Sequence, residues 1–133
     1  MTPEERTTFL AEHRLCVVAY AREAGPPALS PVYYAMDGDD LIISTTASRA
    51  KATAIHRNPE VSVCVLGEQA PFPYLTVYGR GRIEETNVVE TMMRVGARMT
   101  GSPIPDSARP AIEKRAADEG RVVLRITPEG FVP

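Results

Sequence analysis

The sequence lacks tryptophan, has only three phenylalanines, and shows no excess of basic residues. Fifteen Lys and Arg stand against seventeen Asp and Glu, which gives a formal net charge of −2 and a sequence pI of about 5.7. Proteins that bind nucleic acid usually carry a basic patch, and those that bind single strands add aromatic stacking platforms. We therefore expect no nucleic-acid partner.

Histidine and cysteine are also scarce, with two of each in 133 residues. His13 and His56 stand alone, and Cys16 and Cys64 lie in the apolar runs LCVVAY and VSVCVL. This spacing fits neither a metal site nor a disulfide framework, so we expect no metal and two buried thiols, with a reactive or bridged pair as the alternative. Phosphate-loop, dinucleotide-binding and serine-hydrolase motifs are absent as well.

Long hydrophobic runs are missing too. No apolar run approaches the roughly 20 residues that a helix needs to cross a bilayer. The N-terminal segment MTPEERTTFL is polar and has no apolar signal region. We expect a soluble, cytoplasmic protein without a membrane partner.

The remaining composition favours a single folded domain over residues 1–133, because 44% of the residues are apolar. Hydrophobic periodicity and turn residues predict four helices and six strands. The helices cover 3–13, 48–58, 87–99 and 108–119, and the strands cover 15–21, 28–36, 41–46, 61–66, 74–84 and 121–126. This order is typical of a mainly-β α+β fold, a small antiparallel barrel with helices outside.

Several residues predict local details of these elements. Thr2 is a candidate cap for the first helix and Ser48 for the second. Pro31 cannot donate to a strand ladder and marks an edge, a bulge or a bend. Gly79 and Gly81, inside a strand, indicate a bulge, a bend or close approach by another group.

The segment STTASRAK, residues 44–51, is the first candidate site. A strand ends in hydroxyl groups and a helix begins with Arg49 and Lys51, which oppose the positive end of the helix dipole. A bound phosphate would explain these cations, since helix N-termini bind phosphate and arginine grips it with two hydrogen bonds. The alternative is that both are ordinary solvated helix residues.

Two strand segments are further candidates. Tyr33 and Tyr34 could stack on a planar ring, or could simply pack within their strand. Thr76, Tyr78, Arg80 and Arg82 share one face of the strand 74–84. That face could contact a ligand or a second subunit, or could be solvated.

Three segments together resemble the pyridoxamine-phosphate-oxidase-like split-barrel superfamily, and more narrowly its actinobacterial branch that uses the deazaflavin coenzyme F-420. The matching segments are SPVYYAMDGDDLIIST, SRAKATAIHRNPEVSVCVL and PYLTVYGRGRIE. The resemblance implies a six-stranded antiparallel split β-barrel with flanking helices. It also implies a homodimer with cofactor sites at the subunit interface.

The resemblance assigns roles to residues of the candidate segments. Ser30, Val32 and Tyr34 would line the ring, and Ser44, Thr45 and Thr46 would border the ring and its polyol chain. Arg49 and Lys51 would hold the phosphate, and Ser48 and Ala50 beside them would also contact the cofactor. Tyr74 and Tyr78, in the segment from Pro73 onward, would approach from the partner chain. No catalytic residue is predicted, although Tyr33, Tyr34 or Tyr78 could donate a proton.

These roles predict hydride transfer from F-420 to a small organic acceptor. FMN is the alternative cofactor, and a non-catalytic module that stores or senses the cofactor is the alternative function. The C-terminus, GFVP, lacks the longer basic segment of the flavin-using oxidases in this superfamily. This departure favours the deazaflavin branch over pyridoxamine-phosphate oxidation.

Overall fold

A computed structural model describes residues 1–132. The strands are β1 (Leu15–Tyr20), β2 (Ala28–Tyr33), β3 (Ala35–Asp37), β4 (Asp40–Thr46), β5 (Glu60–Leu66), β6 (Tyr74–Glu84) and β7 (Arg121–Val132). The α-helices are α1 (Pro3–Glu12), α2 (Ala50–Arg57), α3 (Val88–Thr100) and α4 (Arg109–Glu119), with a 3-10 turn at Asp106–Ala108. No helix within residues 1–132 is long and apolar enough to cross a membrane.

All seven strands form one antiparallel sheet in the order β2-β1-β5-β6-β7-β4-β3. The sheet curls into a half-barrel with flanking helices, which confirms the predicted mainly-β α+β class. The strand that carries Pro31 lies at the edge of the sheet, where a missing N–H donor breaks no ladder. Pro31 predicted an edge, a bulge or a bend, and the structure shows the edge.

The interior of the curled sheet holds the main hydrophobic core. Alternate residues of β5, namely Val61, Val63 and Val65, are buried there, because side chains along a strand alternate between its two faces. Ile55 brings α2 onto the same core. A smaller core lies outside the sheet, where Val95 of α3 packs with Ile42 and Val123.

Tyr34 divides the predicted strand 28–36 into two, so there are seven strands instead of six. Its backbone N–H donates to the carbonyl oxygen of Arg14 at 2.9 Å, and its buried hydroxyl donates to the carbonyl oxygen of Leu10 at 2.7 Å. The chain therefore leaves β2 at one edge of the sheet and enters β3 at the other. Because these edges are joined by one residue, they must approach each other; we call this place the seam.

The glycines of β6 confirm close packing at the sheet. The register with β7 shifts between Tyr78 and Gly79, and a Cβ at Gly79 would lie 2.6 Å from the carbonyl oxygen of Thr127. A Cβ at Gly81 would lie 2.9 Å from the side chain of Ile55. The predicted bulge and the predicted close approach are thus both present.

The helix caps were predicted with mixed success. Thr2 caps α1 as expected: its Oγ1 accepts from the N–H of Glu5 at 3.1 Å, and the Glu5 carboxylate accepts from the N–H of Thr2. The prediction of Ser48 as a cap is wrong. Arg49 occupies the N-cap position of α2, and no side chain caps this helix.

Candidate functional site

The turn between β4 and α2 leaves free backbone donors at the start of the helix. The N–H of Arg49 donates back to the carbonyl oxygen of Thr46 at 3.1 Å, and the first helical bond runs from Thr53 to Arg49 at 3.3 Å. Within residues 1–132, the intervening N–H groups of 50–52 have no backbone acceptor, and the first turn carries no acidic residue. This turn and the first turn of α2, which we call the α2 corner, can therefore bind an anion.

Lys51 is the most unusual residue of the α2 corner. It is only 8% exposed, yet among residues 1–132 it forms no ion pair and no hydrogen bond through its ammonium. Burial lowers the pKa of Lys51, and the neighbouring charge of Arg49 lowers it further. No fully enclosed side-chain nitrogen or oxygen of the described residues lacks a partner, so the Lys51 ammonium still meets solvent.

Arg49 is exposed and also has no acidic partner among residues 1–132. The description of both residues as ordinary solvated helix residues therefore suits Arg49 but not Lys51. Ser48 and Ala50, on either side of Arg49, are exposed as well. The α2 corner thus combines two like charges, free N–H groups and no carboxylate, which is the electrostatic setting of a phosphate site.

The three predicted site residues at the end of β4 point their side chains to different faces of the sheet. Leu41 and Ile43 belong to the interior core and Ile42 to the outer one, so strand alternation places Thr45 on the interior side and Ser44 with Thr46 on the outer side. Thr45 and Thr46 are 4% and 9% exposed. Their side chains cannot all border one ligand, although their backbone leads directly into the α2 corner.

Two predicted residues of β2 lie on the interior side of the sheet. Val32 pairs with Cys16 and Ser30 with Val18, so both share the face of these core residues. The charge of Lys51 acts on the Cys16 thiol, whose pKa burial raises to about 12. Lys51 therefore lies close enough to Cys16, the strand partner of Val32, for its charge to act on that thiol.

Tyr34 does not line this region, and that prediction is wrong. Its side chain is fully buried, and its hydroxyl is held by the carbonyl oxygen of Leu10. Burial raises the pKa of the Tyr34 phenol. The tyrosine is therefore a core residue that fixes α1 to the sheet.

Tyr74 and Tyr78 lie on the opposite face of the sheet from Cys16. Strand pairing on this face, which we call the outer face, forms three cross-strand rows. The rows are Tyr33-Leu15-Leu66-Tyr74, Pro31-Val17-Cys64-Thr76 and Leu29-Ala19-Ser62-Tyr78. Leu29, Tyr74 and Tyr78 are 70%, 53% and 47% exposed. Tyr74 and Tyr78 therefore do not reach the α2 corner of their own chain.

Tyr78 also lines a groove of about 390 Å³ with Glu60 and Glu129. The two carboxylates disfavour an anionic ligand in that groove. A different groove, of about 290 Å³, lies at the seam and includes Val32 and Ser44. Its cationic residues, Arg115 and Arg121, were not predicted as site residues, because only the tertiary fold brings them beside β2 and β4.

The pyridoxamine 5'-phosphate oxidase family profile matches residues 2–132, so the chain belongs to this family. The conserved hypothetical protein Rv2991 from Mycobacterium tuberculosis has a similar structure, with a TM-score of 0.85 at 24% identity, over 98% of this chain and 82% of that one.

An F420 reductase is also similar, with a TM-score of 0.77 at 25% identity over 98% of each chain. A FAD-binding protein from Mesorhizobium loti has a TM-score of 0.68 at 22% identity, over 98% of this chain and 92% of that one. Among curated protein sequences, none matches this chain significantly.

Proposed function

We propose that the protein is an oxidoreductase that binds coenzyme F-420 and reduces a small organic acceptor. Lys51 carries the proposal, because a lysine that is only 8% exposed and has no counterion among residues 1–132 is unfavourable. The phosphate of the cofactor would supply that counterion. The similarity to an F420 reductase at 25% identity supports this cofactor over others that also present a phosphate.

The residues of the chain would bind and orient the cofactor. Arg49 and Lys51 would hold the phosphate, with the Ser48 hydroxyl and the N–H of Ala50 beside them. The ring and polyol chain would be bordered by Ser30 and Val32 of β2, by the Thr45 side chain and by the backbone at the end of β4. The bound, reduced deazaflavin would supply the hydride, and the protein would supply position and protection from water.

A homodimer is part of the proposal. Three large apolar or aromatic side chains, Leu29, Tyr74 and Tyr78, are exposed on the outer face, where a second subunit would bury them. A second copy of the chain would cover this face and bring Tyr74 and Tyr78 toward the cofactor of its partner. Both cysteines are free thiols, as expected of a protein in the reducing cytoplasm, where we place it.

The test is a fluorescence titration of the purified protein with F-420 and, separately, with FMN. We expect F-420 to bind with a Kd of about 10 µM or lower. The double variant Arg49→Ala, Lys51→Ala should weaken binding by at least about a hundredfold, since it removes two charge-assisted contacts. Arg57→Ala, at the other end of α2, is the matched control and should bind as the wild type does.

Other results would change the assignment. Tighter binding of FMN, with a yellow protein as purified, would indicate the flavin alternative. Binding of F-420 without reduction of any acceptor would indicate storage or sensing. If neither cofactor binds, or if the double variant keeps its affinity, the α2 corner is not the cofactor site.

A further inference from the structure

The groove at the seam has the chemistry of a second ligand site. We propose that it binds a small monoanion with an apolar chain, of the class of short aliphatic carboxylates. The groove holds about 290 Å³ and neither Arg49 nor Lys51 lines it. The groove shares Val32 and Ser44 with the residues predicted to border the cofactor, but the proposal does not use the phosphate contacts of the α2 corner.

The positive charge of the groove exceeds its negative charge. Arg121 and Arg115 both donate through Nε to the same Glu119 oxygen, at 2.8 and 3.1 Å. The second edge of the Arg121 guanidinium faces the groove, where Nη1 donates to the Ser44 hydroxyl at 3.5 Å. The Arg121 side chain is 17% exposed, so its charge is poorly screened. Two guanidinium groups that share one carboxylate leave a surplus of one charge for a monoanion.

The wall opposite these cations is apolar and adaptable. Met92, Val95, Gly96 and Met99 form one stripe of α3, at helical spacing i, i+3, i+4 and i+7. The stripe spans about 10 Å along the helix axis. Val95 packs in the outer core, whereas Met99 remains 48% exposed. Methionine side chains are flexible and fit chains of varied shape.

The third wall comes from the two edges that meet at the seam. Val32 and Tyr33 contribute from β2, and Ser44 contributes a hydroxyl from β4. A carboxylate at Arg121 could accept from Arg121, Arg115 and Ser44 together, while its chain lies along the methionines. A neutral or cationic molecule with the same chain would lack these hydrogen bonds, so the site selects for negative charge.

Methionine methyl NMR tests the proposal directly, because the sequence has only five methionines. Met92 and Met99 line the groove, while Met1 and Met36 do not. Octanoate should shift the methyl signals of Met92 and Met99 in a saturable manner and leave those of Met1 and Met36 unchanged. Octanol and octylamine should bind at least tenfold more weakly than octanoate.

Variants complete the test. Arg121→Gln keeps a donor for Glu119 but removes the charge, and should weaken octanoate binding at least tenfold. Arg109→Gln, an arginine on α4 outside the groove, should leave the affinity unchanged, and Ser44→Ala gives a second groove variant if Arg121→Gln does not fold. The proposal is overturned by the absence of Met92 and Met99 shifts, by equal binding of octanol and octanoate, or by equal affinity of the Arg121→Gln and Arg109→Gln proteins.

Discussion

Nε of Arg125 lies 2.8 Å from Oε1 of Glu84, and the same guanidinium also reaches Asp37 at 2.8 Å and Asp40 at 3.3 Å. The Arg125 side chain is 11% exposed, so one partly buried cation on β7 is shared by three carboxylates from β6 and from the β3–β4 hairpin. Asp37 extends the network to Arg94 of α3. This cluster, which we call the Arg125 network, fixes the edge hairpin and a flanking helix to the middle of the sheet.

Replacing Arg125 by methionine should destabilise the protein strongly. The change removes the cation that the three carboxylates share and leaves only the more exposed Arg82 and Arg94 beside them, so the repulsion between the like charges increases. Removing one partner of a fully buried pair costs about 3–5 kcal/mol, and the partial exposure of these acids reduces the expected loss to about 2–3 kcal/mol. Urea unfolding monitored by circular dichroism measures the difference.

Arg109→Met is the matched control for that experiment. Arg109 forms a single ion pair, with Glu90, whose side chain is 57% exposed. Exposed pairs contribute little to stability, so Arg109→Met should lose much less stability than Arg125→Met. If the two variants lose equal stability, the Arg125 network has no special importance.

The Arg125 network should also make the free energy of unfolding depend on pH in the acidic range. Hydrogen bonds from Arg125 hold the pKa of Glu84 and of Asp37 below their ordinary values of 4.5 and 3.8. Because the folded pKa values are the lower ones, this stability is fully present above the unfolded values and is lost as the pH falls through the folded ones. Urea midpoints should therefore fall steeply below about pH 4.5 in the wild type and less steeply in Arg125→Met. Parallel pH curves for the two proteins would contradict this assignment.

The sequence predicted the features that depend on neighbouring residues. Alternation of Val61, Val63 and Val65 predicted a strand, and Thr2 just before the first helix predicted its cap. The segment that forms the α2 corner could also be recognised as a candidate site, because its residues are consecutive in the sequence. Such features follow from side-chain period and local hydrogen bonding, which a short window of sequence contains.

Features built from distant residues could not be predicted. Arg125 and Asp40 are 85 positions apart, and nothing near either residue indicates the other. Tyr34 lies in a segment rich in strand formers, yet its hydroxyl bond to Leu10 of α1 pulls it out of the ladder. The cations of the seam groove have the same origin, since Arg121 reaches Ser44 only because β7 pairs with β4.

Replacing Lys51 by methionine separates function from stability at the α2 corner. Burial lowers the pKa of Lys51, so its charge opposes folding at neutral pH. Methionine keeps the apolar stem and removes the charge, and the free energy of unfolding should stay the same or rise by up to about 1 kcal/mol. Binding of F-420 should nevertheless weaken by at least about tenfold. Urea unfolding and fluorescence titration of the same preparation measure both effects.

Lys114→Met is the control for the Lys51 variant. Lys114 is 76% exposed and pairs only with Asp118 on the same helix. Its replacement should change neither cofactor binding nor, beyond about 0.5 kcal/mol, stability. A large loss of stability in Lys51→Met would show that its charge has an internal partner and would weaken the case for a phosphate site.

Cys64 should report whether a second copy covers the outer face. It lies in the central cross-strand row and is half-buried, and burial raises the pKa of its thiol. Cys16 is fully buried with a pKa of about 12, so it should stay unreactive in the folded protein.

If a dimer forms on this face, labelling of Cys64 by iodoacetamide should accelerate severalfold on dilution below the dissociation constant. Cys64→Ser should abolish the fast phase and Cys16→Ser should keep it. A labelling rate independent of concentration, in samples that sedimentation shows to be dimeric, would place the interface elsewhere.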